Sequence, residues 1–307
     1  MPVARRFART LGLGHFKRAV IDAMESRIKA KVVLPARPLA TPARYLSIAA
    51  MFKNEAPYLA EWLEFHRLVG VEHVYLYDHG STDNFADVLA PFIKDGFVTL
   101  MPWGLPYTTG MMKAQIIAFG HALLTFGHDW RWMAFIDVDE FLFPVEGDSL
   151  LKTLSAYDDL PAVVVFWTMF GFSGHETPPQ GLVTENYTMR APFPTYAKPK
   201  SIVDPSAVRA VGGAHLFDID AGNTSGFNEQ RQLVSKSDLG NLTSKLLRLN
   251  HYYTRSRLEF ESKLHRKRSV GKGLGAPGIA QVIEDTTFCD TSIFRFLPDL
   301  KARLSSR

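Results

Sequence analysis

Three acidic side chains interrupt an apolar segment, FIDVDEFL, at residues 135–142. On a regular strand Asp137 and Asp139 would point to the same face, and Glu140 follows them directly. Converging carboxylates repel one another unless one takes up a proton or a cation lies between them. Mg²⁺ or Mn²⁺, which prefer carboxylate and phosphate oxygens, would remove this conflict. A short D-x-D pattern alone is equally compatible with acids that end a strand in solvent.

Two more polar clusters follow apolar segments. KNE begins at Lys53, after YLSIAAMF, and DHGSTD begins at Asp78, after VEHVYLY. Asp78 comes directly at the predicted strand end, where it is well placed for a ligand. Asp83 is equally well explained as the cap of the helix that follows.

The segments between these clusters alternate between strand and helix patterns. Helical spacing is found before Gly70 and again further along the chain, and apolar strand-like segments separate the helices. The predicted strands cover residues 45–52, 71–77, 97–101 and 132–136, and the later predicted helices cover residues 85–93 and 111–126. This alternation predicts an α/β fold: a Rossmann-like, mostly parallel sheet with helices on both faces. Ligands bind such sheets at the carboxyl ends of the strands, where the three polar clusters fall.

Beyond residue 144 the pattern is looser. A helix at residues 149–157 and a strand at 162–167 precede a long loop at residues 168–187 that is rich in Gly and Pro. Loops of this length within a compact domain usually bind ligands or act as lids. We therefore expect a ligand-binding loop or a lid here.

Charge is unevenly distributed along the 307 residues. The first 44 residues contain ten basic and two acidic residues, net +8, whereas the other 263 contain 25 basic and 29 acidic residues, net −4. A mildly acidic body argues against nucleic-acid binding. Residues 5–31 show apolar positions at helical spacing between basic ones, typical either of a helix on an anionic membrane surface or of a helix packed on its own domain.

The composition predicts two regions at the start of the chain. Residues 1–44 form a basic amphipathic segment followed by a Pro-rich linker, and the main domain begins at residue 45. Cys289 is the only cysteine, which excludes a disulfide framework and a cysteine zinc cluster within the chain. No apolar stretch of 18 residues occurs. We expect a cytoplasmic protein, at the inner face of a membrane if the leader binds lipid.

Four blocks, in this order, carry a family resemblance: MFKNEAPYLAEWLEFHRLVGVEHVYLYDHGSTDN, FIDVDEFL, FWTMFGFSGHETPPQGLVTENY and LNHYYTRSRLEFESK. Together they resemble glycosyltransferase family 92 and the related bacterial family-2-like glycosyltransferases, over residues 45–272. The extent of the resemblance implies a single catalytic domain at residues 45–272 and a C-terminal tail at residues 273–307. The resemblance implies a GT-A fold, a nucleotide-diphosphate sugar donor such as a UDP-sugar, a glycan or other hydroxyl acceptor, and transfer assisted by Mn²⁺ or Mg²⁺.

The resemblance also implies roles for residues that bind the donor. Asn54 and Glu55 would lie at the rim of the nucleotide pocket, and Asp78 would accept hydrogen bonds from the base or the ribose. Asp83 would support that pocket or cap a helix, and Gln115 resembles the helix-borne residue that faces the donor.

Three residues form the implied metal site. Asp139 resembles the principal ligand, Asp137 would be shared between donor and metal, and His251 resembles the late histidine that completes the metal shell. Glu140 receives no role. His251 taken alone would more often be an ordinary structural histidine.

An inverting transfer requires a base to take the proton of the acceptor hydroxyl. Glu185, Glu176 and His175 lie in the long loop at residues 168–187, where the acceptor is expected to bind, and Glu185 fits the family pattern best. Trp167 and Phe170, beside that loop, are candidates for stacking on sugar faces.

Two other classes share this fold. A nucleotidyltransferase normally has a Gly-rich, basic phosphate loop after its first strand, and MFKNEAP contains no glycine. A non-catalytic sugar- or nucleotide-binding protein stays an alternative, although the intact DVDE and His251 argue against decay of the site.

Overall fold

A computed structural model describes residues 31–36, 41–104, 111–219, 224–269 and 279–307. Most of the predicted leader, including nearly all of the proposed membrane-binding segment 5–31, lies outside these residues, so its role stays a prediction. Among the described residues, no helix has both the length and the apolar character needed to span a bilayer.

The strands, in chain order, are β1 Val32–Val33, β2 Arg44–Phe52, β3 His73–Asp78, β4 Val98–Pro102, β5 Trp130–Phe135, β6 Glu140–Pro144, β7 Ala162–Met169, β8 Met189–Arg190, β9 Pro199–Val203, β10 Val208–Val211, β11 Asp218–Ile219, β12 Thr224–Asn228, β13 Leu233–Ser235, β14 Leu247–His251 and β15 Phe288–Cys289. The helices are α1 Ala56–Leu68, α2 Phe85–Lys94, α3 Met111–Phe126, α4 Leu150–Leu154, α5 Val183–Asn186, α6 Arg257–Ser269, α7 Ile279–Asp285 and α8 Leu297–Ser305. Short 3₁₀ turns cover Gly127–Asp129, Ser155–Tyr157 and Ser292–Phe296.

The centre of the main sheet is parallel, in the order β5-β2-β3-β4. The last seven residues of β2 are all buried, because helices cover both faces. Ile48 and Ala50 face the core that α1 and α2 complete, whereas Ala49 and Met51 face the core under α3. The predicted α/β fold, with a mostly parallel central sheet and helices on both faces, is confirmed.

The other half of the sheet is mixed. Strand β9 lies antiparallel between β5 and β7, and β14 pairs parallel with β7 and antiparallel with β6. FIDVDEFL is therefore not the end of one strand, as we expected, but a tight turn between β5 and β6. The register of β14 on β6 places His251 opposite Glu140, so that two chemically active side chains from distant parts of the sequence meet.

Both ends of the described chain pack on this body. Val32 pairs with Val211, and Leu34 is buried, within the segment predicted as a linker. In the segment predicted as a tail, Leu300 is fully buried and the Arg307 guanidinium hydrogen-bonds Glu64 on α1. The division at residues 44 and 272 stays a prediction, but β1 and α8 are structurally part of the same unit.

Helix α1 fixes the start of β6. The indole Nε1 of Trp62 donates to the carbonyl of Glu140 at 2.7 Å. His66 donates from Nδ1 to Trp62 O at 2.8 Å, and its Nε2 accepts the amide of Leu142 at 3.2 Å. This pattern requires a neutral ring, and burial lowers the pKa of His66 to about 3. Helix α1 thus positions the acidic turn through a histidine that must stay unprotonated.

Acidification should therefore weaken the fold through His66. Below pH 6.5 the unfolded chain protonates this ring while the folded protein excludes the proton, so stability is lost as the pH falls towards about 3, by about 1.4 kcal/mol per pH unit. Between pH 6.5 and 5.5, where the unfolded ring is still only partly protonated, His66→Met should lose about 1 kcal/mol less unfolding free energy than the wild type, measured by urea denaturation. His128→Met, which removes an exposed histidine, should keep the wild-type pH dependence. Equal slopes for the wild type and His66→Met would contradict this role.

Candidate active site

The acidic turn brings three carboxylates together at the carboxyl end of β5. The amide of Glu140 donates to Asp137 O at 3.0 Å, and the amide of Asp137 donates to Glu140 Oε2 at 2.9 Å. Because the chain reverses here, Asp137 and Asp139 do not lie on one regular strand, and their carboxylates bind different partners. The cluster is formed by the turn itself rather than by strand alternation.

Asp137 is held by a lysine and an amide. Lys200 Nζ and Gln115 Nε2 each lie 2.7 Å from one oxygen of its carboxylate. Burial would raise the pKa of Asp137, but the Lys200 ammonium holds that pKa below its ordinary value. Lys200 comes from β9, is fully buried, and also lies 3.3 Å from Glu140 Oε1. Gln115 therefore contacts the acidic cluster, and its expected role towards the donor stays a prediction. The Asp137 side chain is 32% exposed.

Asp139 is flanked by a histidine and a second lysine. His251 Nε2 lies 3.4 Å from Oδ1, and Lys263 Nζ lies 3.0 Å from Oδ2. Its backbone carbonyl accepts the amide of Tyr252 at 2.9 Å, which ties the turn to the end of β14. Burial favours the neutral acid, yet Lys263 and His251 hold the pKa of Asp139 well below its ordinary value.

Glu140 is fully buried and chemically different from its neighbours. Burial raises its pKa well above the ordinary value; Lys200 opposes this effect, and the negative charges of Asp137 and Asp139 reinforce it. A cation that entered the cluster would favour the ionised form. Glu140 is thus a carboxyl group whose charge depends on what lies beside it.

A divalent ion fits this cluster. One ligand atom from each of Asp139, Glu140 and His251 lies within 4.8 Å of the other two. Burial lowers the pKa of His251, which favours the neutral ring that ligates metals. Its Nδ1 is buried with no hydrogen-bond partner among the described residues, and Glu140 Oε1 has only the ionic contact with Lys200. Two carboxylates and one imidazole form a plausible donor set for Mn²⁺ or Mg²⁺.

This set differs from the predicted one in one residue. The expected ligands were Asp137, Asp139 and His251; the structure groups Asp139 and His251 with Glu140 instead. Each carboxylate oxygen of Asp137 has one partner, Lys200 or Gln115. The two-residue spacing of D-x-D favours Asp137 and Asp139 as ligands, whereas Glu140 lies directly after Asp139 in the sequence. A metal-binding role for Asp137 stays a prediction.

The KNE and DHGSTD segments, which follow β2 and β3, are joined by hydrogen bonds. Asn54 adopts a φ of +55°, donates from its amide to Ser81 Oγ at 2.9 Å, and accepts the amide of Thr82 on Oδ1 at 2.7 Å. Asp78 Oδ1 accepts the amide of Ser81 at 2.8 Å. The loops after β2 and β3 therefore form one rigid rim at the carboxyl edge of the sheet.

Asp83 joins this rim from the opposite side. Its Oδ2 accepts the amide of Ala56 at 2.9 Å. It therefore caps the start of α1, not the helix that follows it in the sequence. Asp83 supports the loop that carries Asn54 and Glu55.

An arginine that the sequence analysis did not single out lies next to this rim. Arg255 pairs through Nη1 with Glu55 Oε2 at 2.7 Å, and its guanidinium lies 3.6 Å from the ring centroid of Tyr58. It is buried and adopts a φ of +49°, which an arginine tolerates only when its surroundings hold it there. Arg255 and Lys263 both lie in LNHYYTRSRLEFESK, the last of the four blocks that carry the family resemblance. This block was the only feature of the sequence that could have pointed to them.

The three candidate bases lie on or beside the long loop, each with its own partner. His175 Nε2 lies 3.2 Å from Asn186 O, Glu176 pairs with Arg257 at 3.5 Å, and Glu185 pairs with Lys301 at 2.7 Å. Within the described residues, no hydrogen bond or ion pair joins them to the carboxylate cluster. Their catalytic roles stay predictions.

The two candidate stacking aromatics differ. Phe170 is fully buried against Tyr252 and belongs to the core. Trp167 is 8% exposed, and its ring centroid lies 4.1 Å from that of His251. Its indole nitrogen has no hydrogen-bond partner among the described residues. Trp167 therefore forms a wall of the site beside His251.

Comparisons with known proteins agree on one family. The model of the family described as Glycosyltransferase family 92 matches residues 45–266. A family 92 protein of Oryza sativa subsp. japonica is 32% identical over 188 residues, which are 59% of this chain and 30% of the plant protein. One from Ricinus communis is 28% identical over 272 residues, 80% of this chain and 45% of that protein. The chain thus spans less than half the length of these relatives.

The solved structures that match this chain have low sequence identity and low TM-scores. The crystal structure of S. aureus TarS 1-349 in complex with UDP-GlcNAc is 14% identical, with a TM-score of 0.38, over 76% of this chain and 68% of that one. A TM-score of this size carries no conclusion about the present chain.

The charge arrangement predicts how substitutions at Lys200 will behave. Lys200→Met should cost about 3–5 kcal/mol of unfolding free energy, because it leaves the buried Glu140 carboxyl group and the partly buried Asp137 carboxylate without their cation. Adding Glu140→Gln should recover about 1 kcal/mol or more, since it removes one uncompensated acid. Urea denaturation measures both effects.

A matched surface variant provides the control. Lys236→Met removes a half-exposed lysine that pairs with Asp218, and should change the unfolding free energy by no more than about 0.5 kcal/mol. If Lys200→Met were as mild, or if Glu140→Gln destabilised it further, Lys200 would not be the compensating cation.

Proposed function

Because the chain belongs to glycosyltransferase family 92, we propose that it transfers a sugar from a nucleotide-diphosphate sugar, a UDP-sugar, to a hydroxyl acceptor with the help of Mn²⁺ or Mg²⁺. The observation that carries this proposal is the cluster of Asp139, Glu140 and His251 at the carboxyl edge of the parallel sheet. Edges of this kind are where α/β sheets bind nucleotides.

In this proposal Asp139, Glu140 and His251 hold the divalent ion. When bound, the ion stabilises as a Lewis acid the negative charge that develops on the leaving diphosphate. Asp137 has a different task. Its carboxylate is oriented by Lys200 and Gln115 and remains partly exposed, so it is suited to accept hydrogen bonds from hydroxyls of the ribose or the donor sugar.

The rim formed by the loops after β2 and β3 is the proposed nucleotide pocket. Asp78 keeps Oδ2 for the base or ribose while Oδ1 fixes the turn through Ser81. The side-chain oxygen of Asn54 accepts the amide of Thr82, so Asn54 is proposed to shape the pocket. Glu55 orients Arg255, which places a permanent positive charge near the proposed diphosphate position.

The acceptor end is proposed to lie along the loop at residues 168–187, with Trp167 as one wall. An inverting reaction requires a base there, and Glu185, Glu176 and His175 are the proposed candidates. Glu61 on α1 anchors this region by accepting the amides of Val183 and Thr184 at 2.7 and 2.9 Å.

Loss of the principal ligand should abolish activity without loss of the fold. Asp139→Asn should lower Mn²⁺-dependent release of nucleoside diphosphate from a donor panel by about 10²–10³-fold, because the ion then loses a charged ligand. Asp87→Asn makes the same chemical change at an exposed position on α2 and should leave turnover unchanged. Circular dichroism checks that both variants are folded.

Two results would contradict the proposal in different ways. Equal turnover in EDTA-treated and Mn²⁺-loaded protein would remove the metal requirement while leaving sugar transfer intact. Binding of UDP without release of nucleoside diphosphate from any donor would instead favour a non-catalytic binding protein.

The base assignment is tested at Glu185. Glu185→Gln should lower kcat for transfer by about 10²–10⁴-fold, since it removes a proton acceptor, with little change in the Kd for UDP. Lys301→Met breaks the same ion pair but keeps the carboxylate, and should stay within about threefold of wild-type turnover. If Glu185→Gln were as active as Lys301→Met, Glu185 would not be the base. The anomeric configuration of the product, read by NMR, tests inversion directly.

A further inference from the structure

Lys263 contacts Asp139, the carboxylate that is proposed to bind the metal ion. Its ammonium is 3.0 Å from Asp139 Oδ2 and donates to the carbonyl of Tyr253 at 2.7 Å. His251 approaches the other oxygen of the same carboxylate at 3.4 Å. Both oxygens of Asp139, the central ligand of the proposed metal site, therefore already have partners, and one of them is a full positive charge.

A divalent ion and this ammonium compete for Asp139. A cation entering between Asp139, Glu140 and His251 would lie within a few ångströms of Lys263 Nζ, at a site where burial weakens screening by solvent. The ion can bind tightly only if the ammonium moves away or if negative charge arrives to compensate both cations. The donor diphosphate carries such charge.

The two lysines of the site differ in their freedom to move. Lys200 is fully buried on a central strand and contacts two carboxylates at once. Lys263 is 16% exposed, and it sits on α6 at the end of a flexible four-carbon side chain. Lys200 is therefore a fixed part of the site, whereas Lys263 can exchange partners.

We propose that Lys263 is a tethered cation that holds Asp139 in the metal-free protein, yields this carboxylate to the divalent ion, and then binds the diphosphate of the donor. This inference rests on the proposed function, because it assumes that metal and nucleotide diphosphate bind at this cluster. It makes the two ligands interdependent: metal binding is weak alone and strengthened by the nucleotide, since the nucleotide offers Lys263 a new partner.

The test measures Mn²⁺ binding, by electron paramagnetic resonance of the free ion, with and without UDP. Without UDP, Lys263→Met should bind Mn²⁺ about tenfold more tightly than the wild type, the effect of removing one charge-assisted hydrogen bond from the competing cation. UDP should tighten Mn²⁺ binding in the wild type more than in Lys263→Met. Lys263→Arg, which keeps the charge, should resemble the wild type.

Lys152→Met is the matched control. Lys152 is exposed on α4, so this variant lowers the net charge equally and should leave Mn²⁺ affinity unchanged. If Lys263→Met bound Mn²⁺ no more tightly than Lys152→Met, the ion pair with Asp139 would be structural and the inference would fail while the metal site stood. If neither the wild type nor Lys263→Met bound Mn²⁺, even with UDP, the proposed metal site would fail as well.

Discussion

Charge compensation within one tight turn is the constraint on which this architecture depends. Residues 137–140 place three carboxyl groups where solvent reaches them only in part, and an uncompensated buried charge would cost several kcal/mol. Compensating charge must therefore come from other elements, Lys200 on β9 and Lys263 on α6, while His251 on β14 contacts Asp139. The packing of these three elements around β5 and β6 is thus tied to the chemistry of the turn.

The compensation is graded, which gives the carboxylates different properties. Asp137 and Asp139 each contact an ammonium, and their pKa values are lowered. Glu140 is more fully buried and shares its lysine with Asp137, and its pKa is raised. An incoming cation would therefore change the charge state of Glu140 most. The cluster thus combines two carboxylates held by ammonium groups with a third whose charge responds to its surroundings, which suits the proposed binding of a divalent ion.

The strands and helices that depend on a pattern within a short segment could be predicted from the sequence. The parallel strands could be predicted because β2 and its neighbours are apolar on both faces and alternate with helices that end at recognisable residues such as Gly70. Asp139 and His251 were reachable through the family resemblance. Lys200 could not be predicted from the sequence, because its position depends on β9 inserting antiparallel between β5 and β7. The sequence of β9 itself does not indicate that insertion. Lys263 belongs to a helix with charges on every side, RLEFESKLHRKRS, so its role depends on tertiary position alone.

The proposed donor and acceptor sides of the site are held by different kinds of interaction. On the donor side, backbone amides and side chains interlock between adjacent parallel strands, as at Asn54 and Ser81, so the geometry follows from the sheet. On the acceptor side, α5 is one turn long and is tied to α1 mainly through Glu61. Because loops vary in sequence more than the elements they connect, the proposed donor pocket is expected to vary less than the proposed acceptor loop among proteins of this fold. Differences in acceptor choice would then arise from residues 168–187 while the carboxylate cluster stays the same.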